Sequence, residues 1–491
     1  KWEHLSDLVK SLSVNEKRYF ALMQKEDSKS KNYIKLFDAV NQQVETKKII
    51  AKFSGTKMNV SYEKSYLIKI LLKSLRNFHE SSSIDTIIYQ ALFDIEILLD
   101  KKLYVFCLAY TEYYLALCKE CELYEFQLLL LKGKRRCILR MGNNDAYAAN
   151  NIIEASTEKN CLQKLENINN FKALHQNMHQ LLNRKEGLVN AEDKERIKKI
   201  IENEILTDIN NAHSFLAKMM FYDIKIWYNA NCINNHSVAY DFSIKKIELL
   251  ENNTFVLKSA PLTYMSVYAN QYIRAYAMQK LDELPNIIAK IDLIANSKSP
   301  FISQDIKNEA FAHSSEKILD YCVATLNFTK GVQCFLLNKK RMKQQNFKLN
   351  DFFLMTQHYF VAYFYFHLKE YKNAIKHIKI VLDDFKPETR LITFICAKMI
   401  NILVQHELGN FELIPYLLKS TERILKSNKI ENPAFYLTDA LLKKLTPTTS
   451  KKDAKELFTN YSSQLNNLTN RYDIAFVQDV GLHFWAEEKL K

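Results

Sequence analysis

The sequence predicts an all-α protein, an α-solenoid of stacked helical hairpins, and two observations lead to this fold class. The 491 residues include only 7 Gly and 7 Pro, whereas average usage would give roughly 34 and roughly 25. Hairpin turns between strands and phosphate-binding loops both depend on glycine, and helices do not. In addition, similar hairpin segments recur every 40 to 47 residues in the second half of the chain. A repeat of this length is typical of solenoids, because each unit buries its apolar face on the next.

Residues 1–80 predict a separate, basic helical cap at the N-terminus. They carry 16 Lys and Arg against 9 Asp and Glu, a net charge of +7, which is half of the formal net charge of +14 of the whole chain. Ser13 and Glu16 have the spacing of a capping box that starts a helix. Further helices are expected at 33–40, 49–53 and 62–78, from their apolar periodicity.

The remaining chain divides into four predicted segments. Helical hairpins are expected from residue 81, then a long irregular amphipathic hairpin, then the repeats, and finally helices that close the C-terminal end. The predicted bounds of these segments are 81–155, 156–214, 215–445 and 446–491.

The repeats are identified by segments that overlay along the chain. Leu281 to Ile288 aligns with Leu368 to Ile375 and with Leu408 to Pro415, and Leu326 to Gly331 supplies the copy between the first two. Pro285 and Pro415 are expected just inside the second helix of a hairpin, where a missing amide hydrogen costs nothing.

The segment 357–383 resembles a tetratricopeptide repeat. The small Ala362 occupies the close approach of the two helices, Tyr371 follows the turn, and Ala374 and Ile378 lie on the facing side of the second helix. The N-terminal segment 11–20 and the irregular repeats together resemble an uncharacterised family of Bacteroidota helical-repeat proteins. The resemblance implies a tetratricopeptide-like superhelix and brings no catalytic role.

In such a superhelix the first helix of each hairpin lines the concave surface, so the alignment predicts a peptide-binding groove. Tyrosine suits peptide recognition because it offers a large contact area and a hydrogen bond at small entropic cost. The predicted peptide-binding residues are Tyr272, Tyr276, Gln279, Lys280, Tyr359, Tyr363 and His367.

Enzymatic function is not expected. The glycines are at least nine residues apart, which excludes the dinucleotide fingerprint, the Walker loop and the nucleophile elbow. Cys118 and Cys121 have the spacing of one half of a zinc knuckle or of a redox pair, and His175 and His179 lie one helical turn apart. Neither pair has the further ligands of a metal site. No catalytic residue, metal or cofactor is therefore predicted.

Nucleic-acid binding is the alternative function. The segment 46–72 loosely resembles a helix-turn-helix, although its turn around Gly55 is too long for the compact motif. Basic side chains there and in a later cluster could neutralise phosphates. The candidate contacts are Lys64, Lys69, Lys73, Arg76, Arg135 and Arg136.

The leading hypothesis is a non-enzymatic scaffold or adaptor that binds a peptide or protein segment. Nine cysteines without paired spacing indicate a reducing compartment, hence the cytoplasm. The longest uncharged apolar run, Phe352 to Leu368, is 17 residues long, which is short for a membrane span, so no membrane partner is expected. The sequence leaves the oligomeric state open.

Overall fold

A computed structural model describes residues 2–24, 32–42, 59–80, 83–142, 144–182, 191–299, 301–445 and 449–491. Across these ranges the chain forms 24 α-helices and no strand, so the all-α prediction is confirmed. In the same ranges, none of the helices combines the length and the apolar character needed to cross a membrane. The chain divides into two compact units, Lys1–Asn167 with Ser299–Ser303, and Ile168–Lys298 with Gln304–Lys491.

In the described part of the first unit, the first four helices share one apolar core around Leu5, Leu36 and Leu67. The capping box is confirmed, since the Ser13 hydroxyl accepts from the Glu16 amide while the Glu16 carboxylate accepts from the Ser13 amide. The expected helix at 49–53 and the turn around Gly55 lie outside the described residues. The helices are α1 (Trp2–Ser11), α2 (Val14–Met23), α3 (Asn32–Asn41) and α4 (Val60–Phe78).

Three further helices of about equal length follow in this unit, and each packs on the next. A long helix then runs without a break through the predicted start of the irregular hairpin at residue 156, and the boundary between the two units falls within it. These helices are α5 (Ile84–Asp100), α6 (Tyr104–Glu120), α7 (Tyr124–Arg140) and α8 (Asn144–Leu182).

The second unit continues with shorter helices and then with regular pairs. Pro285 and Pro415 occupy the first turn of their helices, as predicted. The helices are α9 (Ala191–Ile201), α10 (Phe215–Trp227), α11 (His236–Glu251), α12 (Val256–Ser259), α13 (Pro261–Ala277), α14 (Leu284–Ala295), α15 (Gln304–Ala324), α16 (Phe328–Gln345), α17 (Asp351–His367), α18 (Tyr371–Lys379), α19 (Leu391–Glu407), α20 (Ile414–Ser427), α21 (Pro433–Lys444), α22 (Lys451–Asn466), α23 (Arg471–Val480) and α24 (Leu482–Leu490).

Alternate helices of the second unit form one continuous layer. Helix α13 packs on α15, α15 on α17 and α17 on α19, while α14, α16 and α18 each pack on the helix before and the helix after them. The C-terminal α23 packs on α19, and α24 packs on α22. Most of these helices, from α15 to α24, contribute to one large apolar core.

The turns inside these pairs share one conformation. Gln279, Leu326, Lys369 and Gly409 all have a left-handed backbone, with φ of 56°, 53°, 62° and 76°. In each turn the amide of the residue after the left-handed one donates to the carbonyl five residues earlier, for example Asn327 N to Cys322 O at 2.9 Å. This hydrogen bond is that of a Schellman motif at the end of a helix. Successive turns lie 47, 43 and 40 residues apart, so the period found in the sequence is also the period of the turns.

Candidate functional site

The four predicted peptide-binding tyrosines lie with one lysine and two aspartates in what we call the tyrosine–aspartate cluster. Its members come from α13, α15, α17 and α23, and they interact through hydrogen bonds and through the electric fields of the two carboxylates. The cluster is defined as Tyr272, Tyr276, Lys317, Asp320, Tyr359, Tyr363 and Asp479.

The first part of the cluster joins α13 to α15. Tyr272 and Tyr276 are one helical turn apart, so their rings stack with centroids separated by 6.3 Å. The Tyr272 hydroxyl donates to Asp320 Oδ2 at 2.8 Å and to the carbonyl oxygen of Lys317 at 3.1 Å. The Lys317 ammonium lies over the Tyr272 ring, 4.8 Å from its centroid. The buried Tyr272 therefore contacts a carboxylate through its hydroxyl and an ammonium group through the face of its ring.

The second part joins α17 to α23. The Tyr359 hydroxyl donates to the backbone carbonyl of Asp479. The residue as a whole is exposed, although protein atoms around its carboxylate raise the pKa of that group. Tyr359 and Tyr363 are only 6% and 3% exposed. Within the described residues, no cation lies at ion-pair distance from the Asp479 carboxylate.

The two carboxylates lie in a region where water is partly displaced by protein. Burial and the Asp320 carboxylate, opposed by Arg390, together raise the pKa of Asp479 to about 6. Burial also raises the pKa of Asp320, although the Tyr272 hydrogen bond and Lys317 act in the opposite direction. Burial and these two aspartates raise the pKa of Tyr276 to about 12. Asp479, whose pKa of about 6 lies below neutral pH, is therefore ionised at pH 7.

Arg390 and Glu316 form an ion pair beside the cluster. The Arg390 guanidinium donates to Glu316 Oε1 and to Thr356 Oγ1, each at 2.7 Å. The same guanidinium lies 4.4 Å from the centroid of the Phe352 ring. Arg390 is therefore held by α15 and α17 and is not directed at Asp479.

The predicted residue His367 lies beneath the C-terminal helices. Its ring stacks on Phe328 with centroids 4.9 Å apart and meets the edge of Phe484 at 4.8 Å. His367 is 7% exposed and its Nε2 has no hydrogen-bond partner in the described part of the chain. Burial lowers its pKa to about 3. A Cβ added at Gly481 would come within 2.5 Å of this nitrogen, so glycine permits the close approach of α23 and α24.

Gln279 and Lys280 lie in the turn after α13 and not on the helix. Gln279 occupies the exposed left-handed position. The Lys280 ammonium lies 4.0 Å from the centroid of the Tyr240 ring and 3.4 Å from Glu283 Oε1. The structure therefore brings the four tyrosines together and leaves these two residues at the end of the helix pair.

The candidate nucleic-acid contacts fall into two groups within the first unit. Lys69, Lys73 and Arg76 are exposed on one face of α4, with no carboxylate of the described residues at ion-pair distance. Lys64 on the same helix lies over the Trp2 ring, 5.7 Å from its centroid.

Arg135 and Arg136 form the second group, and both are paired. Arg135 donates through both terminal nitrogens to Glu158, and Arg136 does the same with Glu96. Bidentate pairing of this kind satisfies the guanidinium group, so phosphate would have to displace a carboxylate at either arginine.

The cysteine and histidine pairs have ordinary protein neighbours. Cys118 and Cys121 are buried. The His175 Nε2 lies 3.6 Å from Asp223 Oδ2, and the rings of His175 and His179 contact Trp227. No group of three His, Cys, Asp or Glu side chains with metal-binding geometry occurs among the residues described.

Sequence reasoning missed the charged members of the cluster, Lys317, Asp320 and Asp479. Lys317 and Asp320 lie on α15, and the repeat alignment at that copy covers only the following turn, Leu326 to Gly331. The sequence signal for them is a pair of opposite charges three residues apart on one helix. Asp479 belongs to α23, which lies outside the repeats, so no repeat alignment could place it beside α17.

Comparisons of this chain with protein-family models, with curated proteins and with solved structures find no match.

Proposed function

We propose that this chain is a non-enzymatic interaction protein whose second unit binds an extended segment of a partner protein. In this proposal the layer of α13, α15, α17 and α19 forms the concave face of a tetratricopeptide-like solenoid, and α14, α16 and α18 form its outer layer. The equal packing order of these helices and their shared turn conformation support the arrangement. Free thiols at all nine cysteines suit a cytoplasmic protein.

The observation that carries the proposal is the tyrosine–aspartate cluster. Its buried tyrosines, Tyr272 and Tyr359, are fixed by hydrogen bonds, and the half-buried Tyr276 and the exposed residue Asp479 are the members accessible to a partner. Rigid aromatic side chains with polar ends are effective in binding peptides because little entropy is lost when they are covered.

The electrostatics of the cluster favour binding over catalysis. Burial and the neighbouring carboxylates raise the pKa of Tyr272 and of Tyr276. A tyrosine that acts as a base or nucleophile at neutral pH needs a lowered pKa. The phenols of this cluster therefore remain protonated and act as hydrogen-bond groups.

Site-specific photo-crosslinking in cells tests the proposal. A photoreactive phenylalanine analogue replaces Tyr276, and a matched protein carries it at Tyr416, which is 75% exposed on α20. We expect a discrete crosslinked protein from position 276 that is absent from position 416. Equal products at both positions, or none at 276, would contradict a binding face at the cluster.

A second function, nucleic-acid binding by the first unit, is favoured by three cations of α4 that have no ion pair with any carboxylate of the described ranges. Lys69, Lys73 and Arg76 recur along one helical face, which is the spacing needed to follow a phosphate backbone.

The salt dependence of binding to duplex DNA and to RNA separates the two basic groups. Replacing Lys69, Lys73 and Arg76 by Ala should reduce the slope of log K against log salt by about 2 to 3, since each lost phosphate contact contributes about 0.9 on duplex DNA. Replacing Arg135 and Arg136 should leave the slope unchanged. Weak binding at low salt by the unaltered protein would exclude this function.

A further inference from the structure

Two buried thiols of the first unit are in direct contact, and they lie apart from the peptide-binding layer. Cys107 belongs to the first turn of α6 and Cys137 to the last turn of α7. The Cys137 thiol donates to Cys107 Sγ, and the two sulfur atoms are 2.8 Å apart. Both residues are 0% exposed. Neither thiol belongs to the site described above, although a thiol is the most reactive ordinary side chain towards oxidants.

Three helices hold the two sulfur atoms in place. Helices α5, α6 and α7 each pack on the other two. The Cys107 thiol donates to the carbonyl oxygen of Ile95 on α5, 3.8 Å away. One turn before Cys137, a Cβ added at Gly133 would lie only 3.3 Å from the Ile95 side chain. The thiol contact therefore lies in a closely packed part of the first unit and not on a loop.

From this contact we propose that Cys107 and Cys137 are a modification site, which a peroxide converts to a reversible disulfide between α6 and α7. A disulfide bond is about 2.0 Å long, so the two sulfur atoms need to approach by less than about 1 Å. In a cytoplasmic protein such a bond is transient and records oxidising conditions. The proposal concerns the first unit and does not depend on peptide binding by the second.

The reaction has two steps and consumes one peroxide. In the first step one thiolate attacks an oxygen atom of hydrogen peroxide; the O–O bond breaks, an S–O bond forms, and the released hydroxide takes up the thiol proton to leave as water. In the second step the other thiolate attacks the sulfenic acid sulfur; the S–S bond forms, and the hydroxyl group leaves as a second water with the second thiol proton. The two sulfur atoms together lose two electrons, which the peroxide gains.

Burial determines when this reaction occurs. Burial and the Cys107 thiol raise the pKa of Cys137 to about 12, against the opposing effect of Arg136 and Arg140. A protonated and enclosed thiol is unreactive towards peroxide. The first step therefore requires α6 and α7 to separate locally, and the return of the helices brings the second thiol onto the sulfenic acid. The disulfide thus forms in molecules whose helix pair has opened, and it then holds the pair closed.

Peptide mapping of the full-length protein after treatment with hydrogen peroxide tests the proposal. Remaining thiols are alkylated, and the protein is digested with chymotrypsin without reduction and analysed by mass spectrometry. Three proteins are compared: the unaltered chain, Cys107→Ala and Cys118→Ala. Cys118 is the matched control, because it lies on the same helix and is also 0% exposed. Cleavage after Tyr113 or Tyr114 separates residues 107 and 118 in the digest.

We expect a peptide pair linked through Cys107 and Cys137 in the unaltered chain and in Cys118→Ala, and we expect dithiothreitol to remove the link. Cys107→Ala should lack it and should retain an alkylated or singly oxidised Cys137. Absence of the 107–137 link from the oxidised unaltered chain, whether or not other cysteines react, would overturn the proposal. The result for the unaltered chain decides the matter even if Cys107→Ala does not fold.

Hydrogen exchange of the oxidised and reduced proteins measures what the bond does to the helix pair. A cross-link between residues 107 and 137 restricts the separation of α6 from α7. We expect exchange in these two helices to slow by about tenfold or more on oxidation of the unaltered chain and to recover with dithiothreitol, whereas Cys107→Ala should show no change. Equal exchange in the oxidised and reduced unaltered proteins would overturn the role of the bond in holding the pair closed.

Discussion

Glu407 ties the C-terminal helix α24 to α19, and its removal should loosen α24. The carboxylate accepts from Trp485 Nε1 at 2.8 Å, from Lys489 Nζ at 2.7 Å and from the Tyr371 hydroxyl at 3.3 Å. Its side chain is only 11% exposed. Glu407→Gln keeps the shape of the side chain and removes the charge that these donors share.

The magnitude follows from the pKa of Glu407. Burial raises this pKa, but the nearby His406 ring and the hydrogen bonds from Lys489 and Trp485 outweigh the effect of burial and lower it from 4.5 to about 2. A shift of this size corresponds to about 3 kcal/mol in favour of the charged form in the folded protein. Since glutamine resembles the protonated acid, we expect α24 to open about a hundredfold more often in Glu407→Gln at pH 7.

Hydrogen exchange of the α24 amides, followed by mass spectrometry, measures this opening locally. Glu487→Gln is the matched control, because Glu487 lies on the same helix and is exposed. The lowered pKa also fixes the pH dependence. The stabilisation is complete above pH 4.5, where the unfolded carboxyl is ionised, and is lost as the pH falls from 4.5 to about 2. Unchanged protection of α24 in Glu407→Gln, or equal losses in the two variants, would refute the role given to this carboxylate.

Three further changes follow from the turns, the core and the buried histidine. Leu326→Gly should stabilise the second unit by about 0.5 to 1 kcal/mol in denaturant unfolding, because Leu326 is exposed in a left-handed turn; Leu336→Gly, at an equally exposed site inside α16, should destabilise it by about 1 kcal/mol. Gly331→Ala should destabilise it by about 1 to 3 kcal/mol, since the new Cβ would come within 2.4 to 2.7 Å of the buried Phe364 ring. Burial lowers the pKa of His367 to about 3, so below pH 6.5 the unfolded chain takes up a proton that the folded chain does not. The free energy of unfolding should therefore decrease as the pH falls from 7 to 5, and this decrease should be smaller by about 2 kcal/mol in His367→Asn. Equal effects of the two leucine changes, tolerance of Ala at 331, or an unchanged pH slope would contradict the respective assignments.

The sequence was sufficient to predict the helical fold because the evidence for it is local. The capping box at Ser13, the prolines at 285 and 415, and the 40 to 47 residue period each depend on residues close together in the chain, and each has its counterpart in the structure. The scarcity of glycine does not mean that left-handed turns are absent. Left-handed turns do occur between the helices, but Gln279, Leu326 and Lys369 fill them where glycine would be favoured.

The candidate site was only partly predictable, since its members come from distant parts of the chain. Periodicity identified Tyr272, Tyr276, Tyr359 and Tyr363, which lie on first helices of the aligned pairs. It gave no information on the C-terminal helices that cover Tyr363 and His367, because their packing depends on Phe484, Gly481 and Asp479, more than 100 residues later in the sequence. Contacts over such separations follow from the assembled core and leave no periodic signal.

Hydrogen exchange of the full-length protein with and without a peptide selected for binding from a random display library tests the central claim, that a partner segment binds the layer containing the tyrosine–aspartate cluster. The account predicts slower exchange in α13, α15 and α23 on binding, with α14, α16 and α18 unchanged. Protection confined to α14, α16 and α18, or to α4 in the first unit, would contradict it.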